Sequence, residues 1–241
     1  MEARDYVDSL RRDGRTLGAA AARDLRADVP SCPGWDVREL VRHTGGVHRF
    51  WGQIVAEQLD DPSKGDEPFV PDSDDDLLPW FVQGVEWLAR VLESADPSMP
   101  VWSWSTRKEA GFVQRRMAQE TAVHRWDAQA ATAAQTPIEA QLAADGVDEI
   151  FDTHMPAQDE LPTGNGEAIT LHQSDGDRRW FVRLDPEGFS VEHRSDPGDA
   201  RVDAPASDLL LMLWGRIPPE TLRIDGDPGL ARRLVEVIDR N

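Results

Sequence analysis

Residues 120–129 read ETAVHRWDAQ. Glu120 and His124 stand four positions apart, so on a helix the carboxylate and the imidazole share one face. The flanking residues carry the helical spacing onward, with Met117, Glu120, His124, Ala128 and Ala131 falling on one stripe. The stripe expected to face a core therefore contains two ionisable groups. Burying an unpaired charge costs several kcal/mol. The pair must satisfy each other, find a third partner, or share a metal ion.

A partner is available upstream. Residues 29–51 read VPSCPGWDVRELVRHTGGVHRFW. Asp36 suits a helix N-cap, and a helix from there to about Leu59 would line up Leu40, His43, Val47, Phe50 and Ile54. His43 then points inward. His48, five residues further, falls off that stripe and is expected to face solvent or lie at the periphery. Two histidines and one carboxylate on facing helices suit a zinc ion with an open fourth position. The bland alternatives stand beside this: Glu-x-x-x-His is also a common surface ion pair, and a histidine on an apolar face is often a satisfied core residue.

Working outward, the first half of the chain reads as four long helices. They cover about 2–27, 36–59, 72–95 and 110–134, with a shorter fifth after Pro137. Four amphipathic helices with one long connection indicate a bundle. The run DSDDD at 72–76 places acids at calcium-loop positions, but Leu77 stands where glycine is required and Gln83 where a bidentate glutamate is required. An acidic helix N-terminus explains it better.

The second half changes texture. The Pro- and Gly-rich MPAQDELPTGNGE places a boundary near 156–166, giving expected domains of 1–157 and 165–241. Beyond it, EAITLHQS and RRWFVRL flank an Asp-Gly turn, as a hairpin does. A further turn leads into FSVEHRS. SDLLLMLWG reads as a helix capped by Ser207 and ended by Gly215, and LRIDGDPGLARRLVEVI as strand, turn and final helix. This is a small α+β domain.

Composition narrows the function classes. The 241 residues carry a formal net charge of −19, with 39% hydrophobic and 29% charged residues. Nucleic acid and anionic membranes both need clustered positive charge and are disfavoured as partners. No apolar run approaches the roughly 20 residues that cross a bilayer. The charged start MEARDYVDSLRRDGR has no signal-like core, so a cytoplasmic location is expected. One cysteine, Cys32, excludes an internal disulfide and a multi-cysteine zinc site and fits a reducing compartment. It is expected to be a half-buried small apolar residue in a proline-rich loop. A monomer or weak dimer is expected.

VPSCPGWDVRELVRHTGGVHRFW and ETAVHRWDAQ together resemble the mycothiol-dependent maleylpyruvate isomerase family. The later segments ASDLLLMLWGR (206–216) and LRIDGDPGLARRL (222–234) resemble that family's C-terminal domain. The resemblance implies a DinB-like metal-binding four-helix bundle followed by a smaller C-terminal α+β domain. It implies that His43, Glu120 and His124 bind zinc, with Asp127 in a supporting role behind them. It implies a fourth zinc position that takes water and then the thiol of mycothiol, as thiolate, for isomerisation or thiol transfer on a small electrophile. The family's dicarboxylate substrate is held by one arginine from each domain. Arg216 matches the C-terminal one. The other belongs just before the third helix, where this chain reads EPFVPDSDDDLL (67–78) without an arginine. Acids there would repel a dianion, so maleylpyruvate itself is expected to be a poor substrate. Trp35, Trp51, Trp80 and Trp126 would suit a bulkier or sugar-like ligand, although core packing explains most of them. Two other readings remain open: a non-catalytic bundle binding a metal or small ligand, and a hydrolase using zinc-bound hydroxide, which would need no thiol.

Overall fold

The computed structural model describes residues 1–238. Helix α1 spans Ala3–Ala21, ending before the expected 27. The chain that follows is needed elsewhere. Val37 N donates to Ala27 O and Arg38 N to Leu25 O, at 3.0 and 2.9 Å. Segment 25–27 thus satisfies amides that the start of the next helix leaves open. That helix, α2, spans Val37–Ala56 and opens on a capping box in which Asp36 and Glu39 bond each other's backbone amides. Helix α3 spans Asp74–Ser94, capped by Ser73, with Asp74, Asp75 and Asp76 in its first turn. The acidic run is a helix N-terminus, as the macrodipole favours. Helix α4 spans Ala110–Ala130.

Within the N-terminal unit, α1 packs against α3 and α4, and α2 against α3 and α4. Two apolar clusters fill the bundle. One gathers around Leu10, Trp51, Leu88 and Met117, the other around Leu17, Leu40, Phe81 and Val85. Glycines set how closely α2 meets α3. A Cβ on Gly45 would lie 2.2 Å from the Trp80 ring, and one on Gly52 would lie 2.2 Å from the Trp87 ring. Both indoles use space that any other residue would take. Helix α4 buries residues on every side, including Arg115, Arg116, Gln119 and Arg125. It therefore has no single inward stripe.

The chain divides into two compact units, Met1–Thr136 and Pro137–Asn241. The division falls ahead of the expected 157–165 boundary, and residues 137–157 go with the C-terminal unit. The reason is packing: α5, Ala140–Glu149, lies against α6, Ala206–Leu213. The C-terminal unit holds one sheet of order β3-β2-β1-β4-β5. The expected hairpin is β1, Glu167–Gln173, with β2, Arg179–Asp185, paired antiparallel. Strand β3 is Gly188–Glu192. Strand β4, Ala200–Ala204, pairs parallel with β1 and antiparallel with β5, Arg223–Gly226. Helix α7, Pro228–Glu236, is capped by Asp227 and touches β1 and β4. Ser207 is not the cap of α6. Pro205 holds that position, and the Ser207 hydroxyl accepts the Ile138 N–H at 3.0 Å. Among the described residues no helix is long and apolar enough to cross a membrane.

Candidate metal centre

His43 on α2 and Glu120 and His124 on α4 come together in the N-terminal unit. One ligand atom from each lies within 4.8 Å of the others. Glu120 Oε1 is 3.4 Å from His43 Nε2 and 3.2 Å from His124 Nε2. The two imidazoles meet edge to face, with centroids 5.3 Å apart. His124 is buried, Glu120 half-buried and His43 exposed, so the cluster opens to solvent on the His43 side.

The neighbours of these three define what they can do. Asp127, fully buried, accepts from His124 Nδ1 at 2.9 Å. That bond turns Nε2 toward Glu120. Arg116 Nη2 lies 3.4 Å from Glu120 Oε2, leaving Oε1 to the histidines. Burial by itself would favour the neutral Glu120. The charge and hydrogen bond of His124, the hydrogen bond of His43 and the charge of Arg116 outweigh it and hold the carboxyl well below the usual range. Burial likewise works against a charged His124, but Glu120 and Asp127 raise it to about 9. The two carboxylates thus favour a positive charge at the position of the His124 ring. Two imidazole nitrogens and a carboxylate oxygen converging at the mouth of the cluster fit a zinc-like divalent ion, and the carboxylate behind His124 is the usual support for a metal-binding imidazole.

His48 is buried, contrary to its expected solvent-facing or peripheral place. Its Nε2 lies 2.8 Å from the Thr121 hydroxyl, which itself donates to Met117 O at 2.6 Å. Nε2 therefore carries the hydrogen. The ring stacks on Phe81, and Nδ1 has no hydrogen-bond partner. Burial pushes its pKa down to about 3. The error was one of phase. The buried face of α2 runs through Val41, Thr44, His48, Trp51 and Val55, with Leu40 and Ile54 at its edge, which puts His43 at the rim. Gly45 and Gly52 sit on this face, and they read as weak positions in an apolar count although they are where α3 comes closest.

Arg216 follows α6 in the C-terminal unit. Its Nη1 donates to Trp214 O at 3.0 Å, at the C-cap of that helix. The acidic run at 72–76 is served by arginines from outside its own segment. Asp74 bonds Arg38 Nε at 2.5 Å and Arg26 Nη2 at 2.6 Å, while Arg42 Nη1 donates to Pro71 O. Asp72, Asp75 and Asp76 stay exposed. Cys32 is half-buried as expected, with Sγ 3.9 Å from Asp127 Oδ2. Of the four tryptophans expected near the site, Trp51 and Trp80 belong to the core, Trp126 on α4 is half-buried, and Trp35 lies against His43 with centroids 5.0 Å apart. Ser31 and Arg116 were not singled out from the sequence. Arg116 had a signal, one helical turn before Glu120, whereas Ser31 had none.

Comparison with known proteins identifies the family. Residues 7–129 match the mycothiol maleylpyruvate isomerase N-terminal domain, and residues 141–233 match the MDMPI C-terminal domain, named by the same family's abbreviation. No protein of curated function matches. Among solved structures, the crystal structure of the mycothiol-dependent maleylpyruvate isomerase is 12% identical over 90% of each chain, with a TM-score of 0.63. A histidine-to-alanine mutant of it is 12% identical over 93% of each chain, again at 0.63. At that identity the likeness speaks for the fold. The two domain matches together span most of the sequence, and the chain belongs to the mycothiol maleylpyruvate isomerase family of isomerase- and transferase-like enzymes.

Proposed function

We propose that this chain is a zinc-dependent enzyme that uses mycothiol, or a similar low-molecular-weight thiol, to isomerise a small electrophile or transfer the thiol to it. One observation carries the reading: ligand atoms of His43, Glu120 and His124 converge within 4.8 Å inside the domain that matches the family. Three protein ligands leave a position for a ligand from outside. When bound, zinc would lower the pKa of a thiol so that thiolate is present near neutral pH. The chain's own groups do the rest. Asp127 fixes the tautomer of His124, Arg116 holds one Glu120 oxygen, and the exposed side of His43 leaves a way in. Cys32 Sγ lies 3.9 Å from Asp127 Oδ2 and is not one of the three converging groups, so the nucleophilic thiol would come from solution. Arg216 would hold an anionic group of the substrate or thiol.

The test has two stages. After reconstitution, elemental analysis should find about one zinc per chain. His43→Ala and His124→Ala should lose it, and His48→Gln should keep it. Turnover of a panel of electrophiles, maleylpyruvate included, should be absent without thiol and should saturate with mycothiol. Thiol-independent turnover would point to hydroxide chemistry, and a loaded but inert protein to a binding module. Maleylpyruvate is the informative member of the panel. The arginines on Asp74 remove part of the ground for expecting its exclusion, while three exposed acids remain.

A further inference from the structure

We infer that the loop 29–36 is the outer support of the metal centre, and that Ser31 and Trp35 are positioning residues for its two histidines. The inference rests on the metal reading of His43, Glu120 and His124 given above, and extends it to residues with no ligand atom of their own.

The loop touches both histidines by different routes. On the α4 side it acts through Asp127. Ser31 Oγ donates to Asp127 Oδ1 at 2.6 Å, while Oδ2 accepts from His124 Nδ1 at 2.9 Å. Asp127 is 0% exposed. A carboxylate so buried keeps its charge only if hydrogen bonds replace the lost water. The short hydroxyl bond supplies one of these and fixes the plane of the carboxylate, and with it the direction of the imidazole. On the α2 side the loop acts by contact. The Trp35 indole lies 5.0 Å from the His43 ring, tilted at 58°. His43 is the exposed member of the set. An exposed imidazole on a helix samples several rotamers, and an indole wall restricts them.

The loop is built to hold these positions. Val29 N donates to Trp35 O at 2.9 Å, Cys32 N to Val29 O at 3.0 Å and Trp35 N to Cys32 O at 3.0 Å. Asp28 and Asp36 form a bridge at its base, and Asp36 is also the N-cap of α2. Ser31 and Trp35 are thus fixed relative to each other and to the helix that carries His43. One short segment sets both imidazoles before any ion arrives, which lowers the ordering cost of binding one.

The experiment measures zinc affinity by competition with a chromophoric chelator, the d–d spectrum of the cobalt-substituted protein, and the melting temperature of the metal-free protein. Ser31→Ala should bind zinc about tenfold more weakly or worse, as loss of outer support does elsewhere, with an altered cobalt spectrum and a lowered metal-free melting temperature, because the buried Asp127 carboxylate loses a hydrogen bond. Ser31→Thr should restore affinity. Trp35→Ala should weaken binding, and Trp35→Phe should retain most of it. If Ser31→Ala and Trp35→Ala both match the unsubstituted protein while His124→Ala loses the ion, the loop has no such role and only this inference falls. If Ser31→Thr binds as poorly as Ser31→Ala, the hydroxyl is not the agent and the inference also fails. If His124→Ala keeps the ion, the ligand assignment itself is wrong.

Discussion

Buried ionisable side chains are where this chain's behaviour can be tested most sharply. His48 is neutral in the fold, with a pKa of about 3 against the ordinary 6.5. The folded value lies below the unfolded one, so this group does not weaken the fold above about 6.5 and destabilises it progressively as pH falls toward 3. In metal-free protein, urea unfolding at pH 6.5 and pH 5 should show ~2 kcal/mol of lost stability from this source at most. His48→Gln, which keeps an N–H for Thr121, should flatten that part of the curve. An unchanged acid slope would mean His48 is not the group responsible. Arg216 offers a second test. If it grips an anionic group, Arg216→Lys should lower kcat/KM about tenfold or more at unchanged melting temperature, because a fork becomes a point charge. Its bond to Trp214 O would survive in the lysine variant, so equal activity would leave it only the cap of α6. The convergence of His43, Glu120 and His124 was legible because Glu120 and His124 share a helical turn and the family motifs single out His43. The opposite fates of His43 and His48 were not. The observed buried face lies one residue, about 100°, round the helix from the expected stripe, and what sets that rotation lies on α3.

Single elements show the same limit. The Asp36 cap, the acidic start of α3 and the first hairpin were readable because caps and turns are written in adjacent residues. Strand β4 was not. Its residues ARVDA alternate, but two of five are charged, and its main partner β1 lies some thirty positions back in sequence. Ser207 misled for a related reason: a serine near a helix start resembles a cap, yet its hydroxyl serves Ile138. Helix α4 has no polar face to reveal its orientation. Contact between α2 and α3 depends on what Gly45 lacks. Gly45→Ala should therefore destabilise the chain by about 1–3 kcal/mol, despite alanine's better helix propensity. In a Trp80→Leu background the same change should cost much less, and a double-mutant cycle measures the difference. Additive effects would mean that the indole moves aside.

For the molecule as a whole, charge is the property that reaches furthest. At −19 it repels any anionic reactant before contact. For a dicarboxylate electrophile, KM should fall as ionic strength rises from ~10 to ~150 mM, over which the screening length shrinks from about 30 to about 8 Å. An uncharged electrophile should show little change. A salt-insensitive dicarboxylate would mean that the local arginines, not the global field, govern entry. The two-part architecture was visible from composition, but the place of division was not. Proline and glycine at 156–166 mark a loop, whereas the divide at Thr136 is decided by the packing of α5 on α6.

The proposed metal ligands come from helices far apart in sequence, two turns into α2 and half-way along α4. An ion held there is a removable cross-link. It closes the long stretch of chain between His43 and Glu120 as a disulfide would, in a protein whose lone cysteine cannot form one within the chain. Binding only the folded state, it should add about 2.7 kcal/mol at a hundredfold excess over its dissociation constant. The melting temperature then becomes a gauge of occupancy: it should climb with added zinc, fall on chelation, and stay flat in His43→Ala. The proposed ion would double as the fastener of its own bundle, and metal starvation would then shorten the protein's lifetime.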